Sequence, residues 1–269
     1  MGILANLLKS IFRGPALESE PVTVTTSMHA AGHEEYGRRF LETFEQFWPD
    51  NYRLRVYAEG FELQPGSARA TVLDLLQAAP GVAEFRGKFA SRPQAQGRMP
   101  DGGYNYRLDA VKFANKSFAT VHASRSCGTR FLVWLDADSV TLKPVPRQLV
   151  TSLIGKETFV AYFGREFTHT ETGFLAFDLS QPNAAEFFDT IERIYLSGEV
   201  FRLREWHDCE VFDAARTVLA AQGRITSRNI SPGGVIHPIA NSVLGEYIDH
   251  LKGPDRKRAG ASLARDRKF

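Results

Sequence analysis

The stretch that most constrains this chain is FLVWLDADSV, residues Phe131 to Val140, where five apolar side chains run straight into two aspartates. Such a run predicts a buried strand of the kind found in α/β sheets. In an extended backbone alternate side chains share a face, so Asp136 and Asp138 are expected to project together beside Ala137. Two carboxylates that close repel, and each raises the other's pKa unless a cation stands between them. Hard oxygen ligands suit a divalent ion such as Mg2+ or Mn2+. The blander alternative is a strand end closed by two solvated, turn-favouring aspartates.

What precedes this strand reads as a βαβ unit. PVTVTTSMH predicts a buried strand over Val22 to Thr26, and Tyr36, Phe40, Leu41, Phe44 and Phe47 then recur at helical spacing. Pro49 stops that helix, and YRLRVYAEG follows as a strand in which Leu54, Val56 and Ala58 alternate with polar partners. Residues 91–104 are rich in Pro and Gly and read as a loop, after which NYRLDAVKFANKSFATVHAS predicts a helix leading into the Phe131 strand. Beyond it, LVTSLI reads as a short helix, TFVAYFG and TGFLAFDL as strands, and Asn183 to Tyr195 and DCEVFDAARTVLAAQG as helices. With no repeat and no break in composition, the expectation is one α/β domain over residues 15–260. Its mostly parallel central sheet would be flanked by helices, and its first half would be Rossmann-like and nucleotide-binding.

The 269 residues, 43% hydrophobic and 24% charged, describe a globular chain, and a net charge of +2 excludes strong non-specific attraction to nucleic acid. Two cysteines are too few for a disulfide framework and point to a reducing, cytoplasmic setting. No apolar run reaches the roughly 18 residues of a membrane span. Residues 1–14 form a separate amphipathic segment, with Ile3, Leu4, Leu7, Leu8, Ile11 and Phe12 at helical spacing. It reads first as a helix packed on the domain, and second as a peripheral contact of residues 3–13 with the cytoplasmic face of a membrane. Residues 261–269 read as a basic, solvated tail.

Two enzyme classes compete for the aspartates. LVWLDADSV resembles the Asp-x-Asp signature of haloacid-dehalogenase-type phosphatases, in which Asp136 would attack phosphorus with Mg2+ in support. That family carries its nucleophile on the first strand of the domain, whereas a whole βαβ unit comes first here. The second class needs a further metal ligand, and YIDHLKGPDRK supplies His250, followed by Gly253 and Lys257. Together, WLDADSV and HLKGPDRK resemble the GT-A nucleotide-sugar glycosyltransferases related to family 8, the glycogenin-like and lipopolysaccharide galactosyltransferase-like enzymes. The resemblance covers the order of elements from Val22 to Lys257 and rests on these two motifs. It implies a GT-A-like fold, a UDP-sugar donor, Mn2+ or Mg2+, hexosyl transfer and retention at the anomeric carbon. By position, Asp136, Asp138 and His250 would hold the metal, and Gly253 and Lys257 the diphosphate. The glycine-to-lysine gap is one residue longer than in the family, and no Pro-Trp follows the lysine.

Further candidates surround these. Thr25, Thr26 and Ser27 end the first strand, where a nucleoside lies in a doubly wound sheet, and capping of the strand end is the plain alternative. Tyr57 would stack on the base and Glu59 accept its N–H. Arg107 and Lys112 are expected on the helix before the Asp-x-Asp, facing the donor, while Lys116 reads as a solvated residue of the same helix. Asp208, or else Glu171 beside Gly173, is the candidate catalytic carboxylate, and an N-cap is the alternative for Asp208. His237 reads as a turn residue, and His29, His33, His122 and His169 as structural. The acceptor stays open among glycan, lipid-linked sugar, protein, small molecule and modified nucleic acid.

Overall fold

In the computed structural model, residues 20–233 and 237–267 are described. The amphipathic segment 1–14 lies outside them, as does the very end of the basic tail. The sheet has seven strands: β1 (Val22–Met28), β2 (Tyr52–Ala58), β3 (Ala70–Asp74), β4 (Phe131–Leu135), β6 (Val160–Phe163), β7 (Glu171–Asp178) and β8 (Ser227–Asn229), in the order β3-β2-β1-β4-β7-β6-β8. Six of them run one way and β7 alone is reversed, pairing antiparallel with both β4 and β6. A separate two-stranded ribbon joins β5 (Ser139–Thr141) to β9 (Ile248–His250). The expected α/β domain with a mostly parallel sheet flanked by helices is what forms.

β4 and β7 are buried at every residue because helices cover both faces of the sheet. On one face lie α1 (Arg38–Phe47) and α4 (Leu149–Ile154), which bury Phe40, Phe44 and Leu149 with Trp48. On the other lie α2 (Gly81–Lys88), α3 (Ala110–Ser126), α5 (Ala184–Leu196) and α6 (Asp208–Ala221), around Phe85, Phe118, Phe187 and Phe212. Each such ring, taken from water, stabilises by about 1.5 to 3 kcal/mol. α1 is entered through a π-helical segment, His33–Gly37, where Gly37 leaves no room for a Cβ beside the Met28 sulfur.

The segment after Gly260 differs from the expected solvated tail. Ser262 donates from its amide and hydroxyl to Asp249, at 2.7 and 2.5 Å, and Arg256 pairs with the buried Asp266. A chain of basic residues stays ordered here because two buried carboxylates draw it back, and it braces β9 from behind.

Candidate active site

The strands of the parallel half end at one edge of the sheet, and there β4 delivers Asp136 into a cleft of about 900 Å3. The two aspartates do not continue the strand, as the alternation argument expected. β4 stops at Leu135, and Asp136 to Ser139 form a turn closed by Ser139 N–H donating to the Asp136 carbonyl at 3.0 Å. Their side chains meet nonetheless, because β5 leaves that turn to pair with β9, setting Ser139 opposite His250. His250 Nε2 then lies 3.1 Å from Asp138 Oδ1 and 3.6 Å from Asp136 Oδ2. One ligand atom from each residue falls within 4.8 Å of the others.

The imidazole reaches this position because residue 173 is glycine. A Cβ there would stand 2.5 Å from His250 Cε1 and 2.8 Å from Nδ1. Among the described residues His250 Nδ1 is buried without a hydrogen-bond partner, and Nε2 is the nitrogen aimed at the carboxylates. Two carboxylates and one imidazole, open to a cleft, fit a divalent ion, and the imidazole favours Mn2+ over Mg2+ within that set.

Cations hold the carboxylates together. Lys116 Nζ lies 2.7 Å from Asp136 Oδ1, 2.9 Å from Asp208 Oδ2 and 2.8 Å from the Thr172 carbonyl. Trp134 Nε1 donates to the same Asp136 oxygen at 2.6 Å. Lys257 lies 3.3 Å from Asp138 Oδ2 and over the Tyr36 ring at 4.2 Å. Burial would push the Asp138 carboxyl up, but His250 and Lys257 outweigh it and hold it well below the usual carboxylate range. Burial would lower the His250 imidazole, and Asp138 with Glu171 and Asp136 raises it instead.

Glu171 and Asp208 both line the cleft and are both buried. Glu171 receives Lys252 at 2.8 Å and Arg165 at 3.2 Å, and Asp208 receives Lys116 and the Thr172 hydroxyl, the latter at 2.5 Å. In each, burial opposes the charge and these cations overcome it, so both are held ionised below the usual range. Asp208 is not the cap of its helix: His207 occupies that position and accepts from Glu210 N–H.

Elsewhere on the cleft wall, Ser27 Oγ donates to Glu59 Oε1 at 2.6 Å and Asn115 Nδ2 to Glu59 Oε2 at 2.7 Å. Ser27, Glu59, Arg107, Lys112, Gly253 and Lys257 all line the cleft. Thr25 and Thr26 do not, because β1 runs two residues further than predicted and encloses them completely. Tyr57 is also corrected: it points into the α2–α3 face, fully buried, with its hydroxyl 2.6 Å from His122 Nδ1. Arg107 sits not on the helix but on a 3-10 turn before it, paired with Glu205 at 3.0 Å, and α3 begins beyond the Asp109 cap.

Sequence reasoning missed Lys116, whose only signal is its place among the buried residues Ala114, Asn115, Ser117 and Phe118. Arg165 and Trp134 carried no pattern at all. His169, read as structural, lies with its ring 4.2 Å from that of His207, and one of its nitrogens is within 4.8 Å of a His207 nitrogen and of Cys209 Sγ. His237 Nε2 donates to the His250 carbonyl at 3.0 Å.

No protein-family model matches the chain, and no curated protein matches it in sequence. Among solved structures it is similar to the crystal structure of a glycosyltransferase involved in the glycosylation of the major capsid of PBCV-1, at 11% identity, covering 89% of this chain and 99% of that one with a TM-score of 0.46. It is also similar to apo mouse xyloside xylosyltransferase 1, at 10% identity, covering 78% of this chain and 85% of that one with a TM-score of 0.48. Both are likenesses of chain path, at identities too low to speak for chemistry.

Proposed function

We propose that this chain is a metal-dependent glycosyltransferase of GT-A-like fold that moves a sugar from a nucleotide-sugar, a UDP-sugar, to an acceptor hydroxyl with retention. The observation that carries the proposal is the meeting of Asp136, Asp138 and His250 within 4.8 Å, from positions more than a hundred residues apart, on the wall of a deep cleft. A divalent ion held there would offset the charge of the departing diphosphate. Lys257 and Lys252 supply further positive charge beside Gly253, whose φ of +84° is one that residues with a side chain rarely adopt. Glu59, held by Ser27 and Asn115, presents a carboxylate to the N–H of a base at the neutral end of the cleft.

In the reaction the bond from the anomeric carbon to the diphosphate oxygen breaks and one to the acceptor oxygen forms. The acceptor proton leaves on the nucleoside diphosphate. Retention is favoured by the state of the two candidate carboxylates. A general base works best with a pKa near the working pH. Asp208 and Glu171 are held far below that by their cations, which suits them to steady an oxocarbenium-like centre rather than to take a proton. A phosphatase using Asp136 as nucleophile is disfavoured, since Lys116 and Trp134 both engage one oxygen of that carboxylate and three strands precede it in the chain.

The test is hydrolysis of UDP-sugars by the parent and by Asp138→Asn, with Mn2+ and after chelation. The expected result is turnover that needs Mn2+ and falls about 100- to 1,000-fold in the variant, the loss typical of removing one group that stabilises developing charge. Turnover indifferent to both would remove the proposal, and a phospho-aspartate trapped at Asp136 would replace it with the phosphatase.

A further inference from the structure

Among the described residues, the exposed large aromatic side chains are Tyr104, Tyr106 and Phe167, and each either lines the cleft or an adjoining cavity or sits in the chain between residues that do. Tyr106 lines the cleft itself, and Tyr104 lines an adjoining cavity that shares His29 and Lys112 with it. Phe167 lies on the β6–β7 loop between Arg165 and Thr168, two residues of the cleft wall. The exposed aliphatic residues Leu76, Leu142 and Val218 line neither space.

Phe167 is the most informative of the three. Its side chain is completely exposed, and its φ of +62° lies in the left-handed region, which disfavours a bulky residue. Neither feature helps the free protein: the ring packs on nothing and the backbone is strained. Such an outlier at a cleft mouth points to a partner that arrives later. The path between the aromatics is polar and continuous. Arg107, next to Tyr106, pairs with Glu205 at 3.0 Å; Glu205 reaches His207 at 2.6 Å and His169 at 3.8 Å; and His169 lies two residues from Phe167. Burial, then His207 and Arg165, push the His169 imidazole down to about 4, so at neutral pH it both donates and accepts hydrogen bonds.

Resting on the glycosyltransferase reading, we infer that the acceptor is itself a saccharide, held by Phe167 and Tyr106 against the C–H face of a pyranose ring. His169 and Arg107 meet its hydroxyls, with His207 holding Glu205 behind them, and one of those hydroxyls forms the new bond to the anomeric carbon. An aromatic platform flanked by hydrogen-bonding groups matches a sugar ring, apolar on its faces and polar around its edge. A membrane surface would instead call for an apolar patch bordered by unpaired cations, whereas Arg107 and Arg165 are both paired with carboxylates.

The experiment is saturation-transfer NMR of the full chain with methyl glucoside, galactoside, mannoside and xyloside, in the absence of any donor. At least one glycoside is expected to bind, with affinity falling tenfold or more in Phe167→Ala and in Tyr106→Ala, kept in Phe167→Trp, and unchanged in Val218→Ala. Phe167→Gly, which relieves the backbone, is expected to raise Tm while losing the glycoside. Failure of every glycoside to bind, binding indifferent to both aromatic substitutions, or Phe167-dependent binding to phosphatidylglycerol vesicles or a Ser/Thr peptide in their place would each overturn the inference. Because no donor is present, this outcome is separate from the UDP-sugar test: glycoside binding without donor turnover would sink the transferase and leave the saccharide site standing.

Discussion

The two ends of the cleft are built from opposite materials. At one end, Glu59 is satisfied by two neutral donors, Ser27 at the end of β1 and Asn115 on α3. At the other end, Asp136, Asp138, Glu171 and Asp208 are held by Lys116, by Arg165, and by His250, Lys252 and Lys257, drawn from three separate stretches of chain. On the proposed donor, the neutral end would recognise a base by direction alone. The charged end holds opposed charges that a cation and a diphosphate would reorder, at a cost: buried carboxylates left without their partners destabilise strongly.

The sharpest way to break this contrast is Lys116→Met. It strands Asp136 and Asp208 without their shared cation, so unfolding by urea should show a loss of about 3 to 5 kcal/mol and transfer should fall with it. A result near zero would mean the lysine is ornamental. Next, Gly173→Ala drives a methyl into the His250 ring and should weaken Mn2+ affinity about 10- to 100-fold, read by calorimetry, with the fold intact by circular dichroism. At the neutral end, Glu59→Gln should raise donor KM about tenfold with kcat retained, the pattern of lost uniform binding. A fall in kcat instead would move Glu59 into the chemistry.

The smallest effect belongs to a structural ion pair remote from the cleft. Burial alone would raise the Asp178 carboxyl, but Arg130, Ser180 and Gln181 bring it down to about 2 from 3.8. A depressed carboxyl contributes stability that is complete above its unfolded pKa and is lost as pH falls through the folded one. About 1 to 2 kcal/mol should therefore disappear between about pH 4 and pH 2 in the parent, and be missing from Arg130→Gln at neutral pH. An identical acid limb in the variant would count against the pair.

Much of the scaffold was legible in local pattern. The helices at Leu149–Ile154 and Asp208–Ala221 and the strand Phe131–Leu135 begin where periodicity and burial place them, because each buries a face that its own residues define. The aspartate pair and His250 could be named from their residue types. Lys116 could not, since a lysine in a helix reads as solvated until a neighbouring strand brings two carboxylates against it. Tyr57 differs for the converse reason: its place at the end of a strand suggests an open site, whereas β2 is buried on both sides at that point.

Short-range steric and hydrophobic preferences thus determined the elements of this protein and the chemistry each could carry. What only the tertiary structure decided was which charges meet, because the turn at Asp136, the β5–β9 pairing and the missing Cβ at Gly173 act together across a long span of chain, and no local preference encodes a contact between residues that far apart.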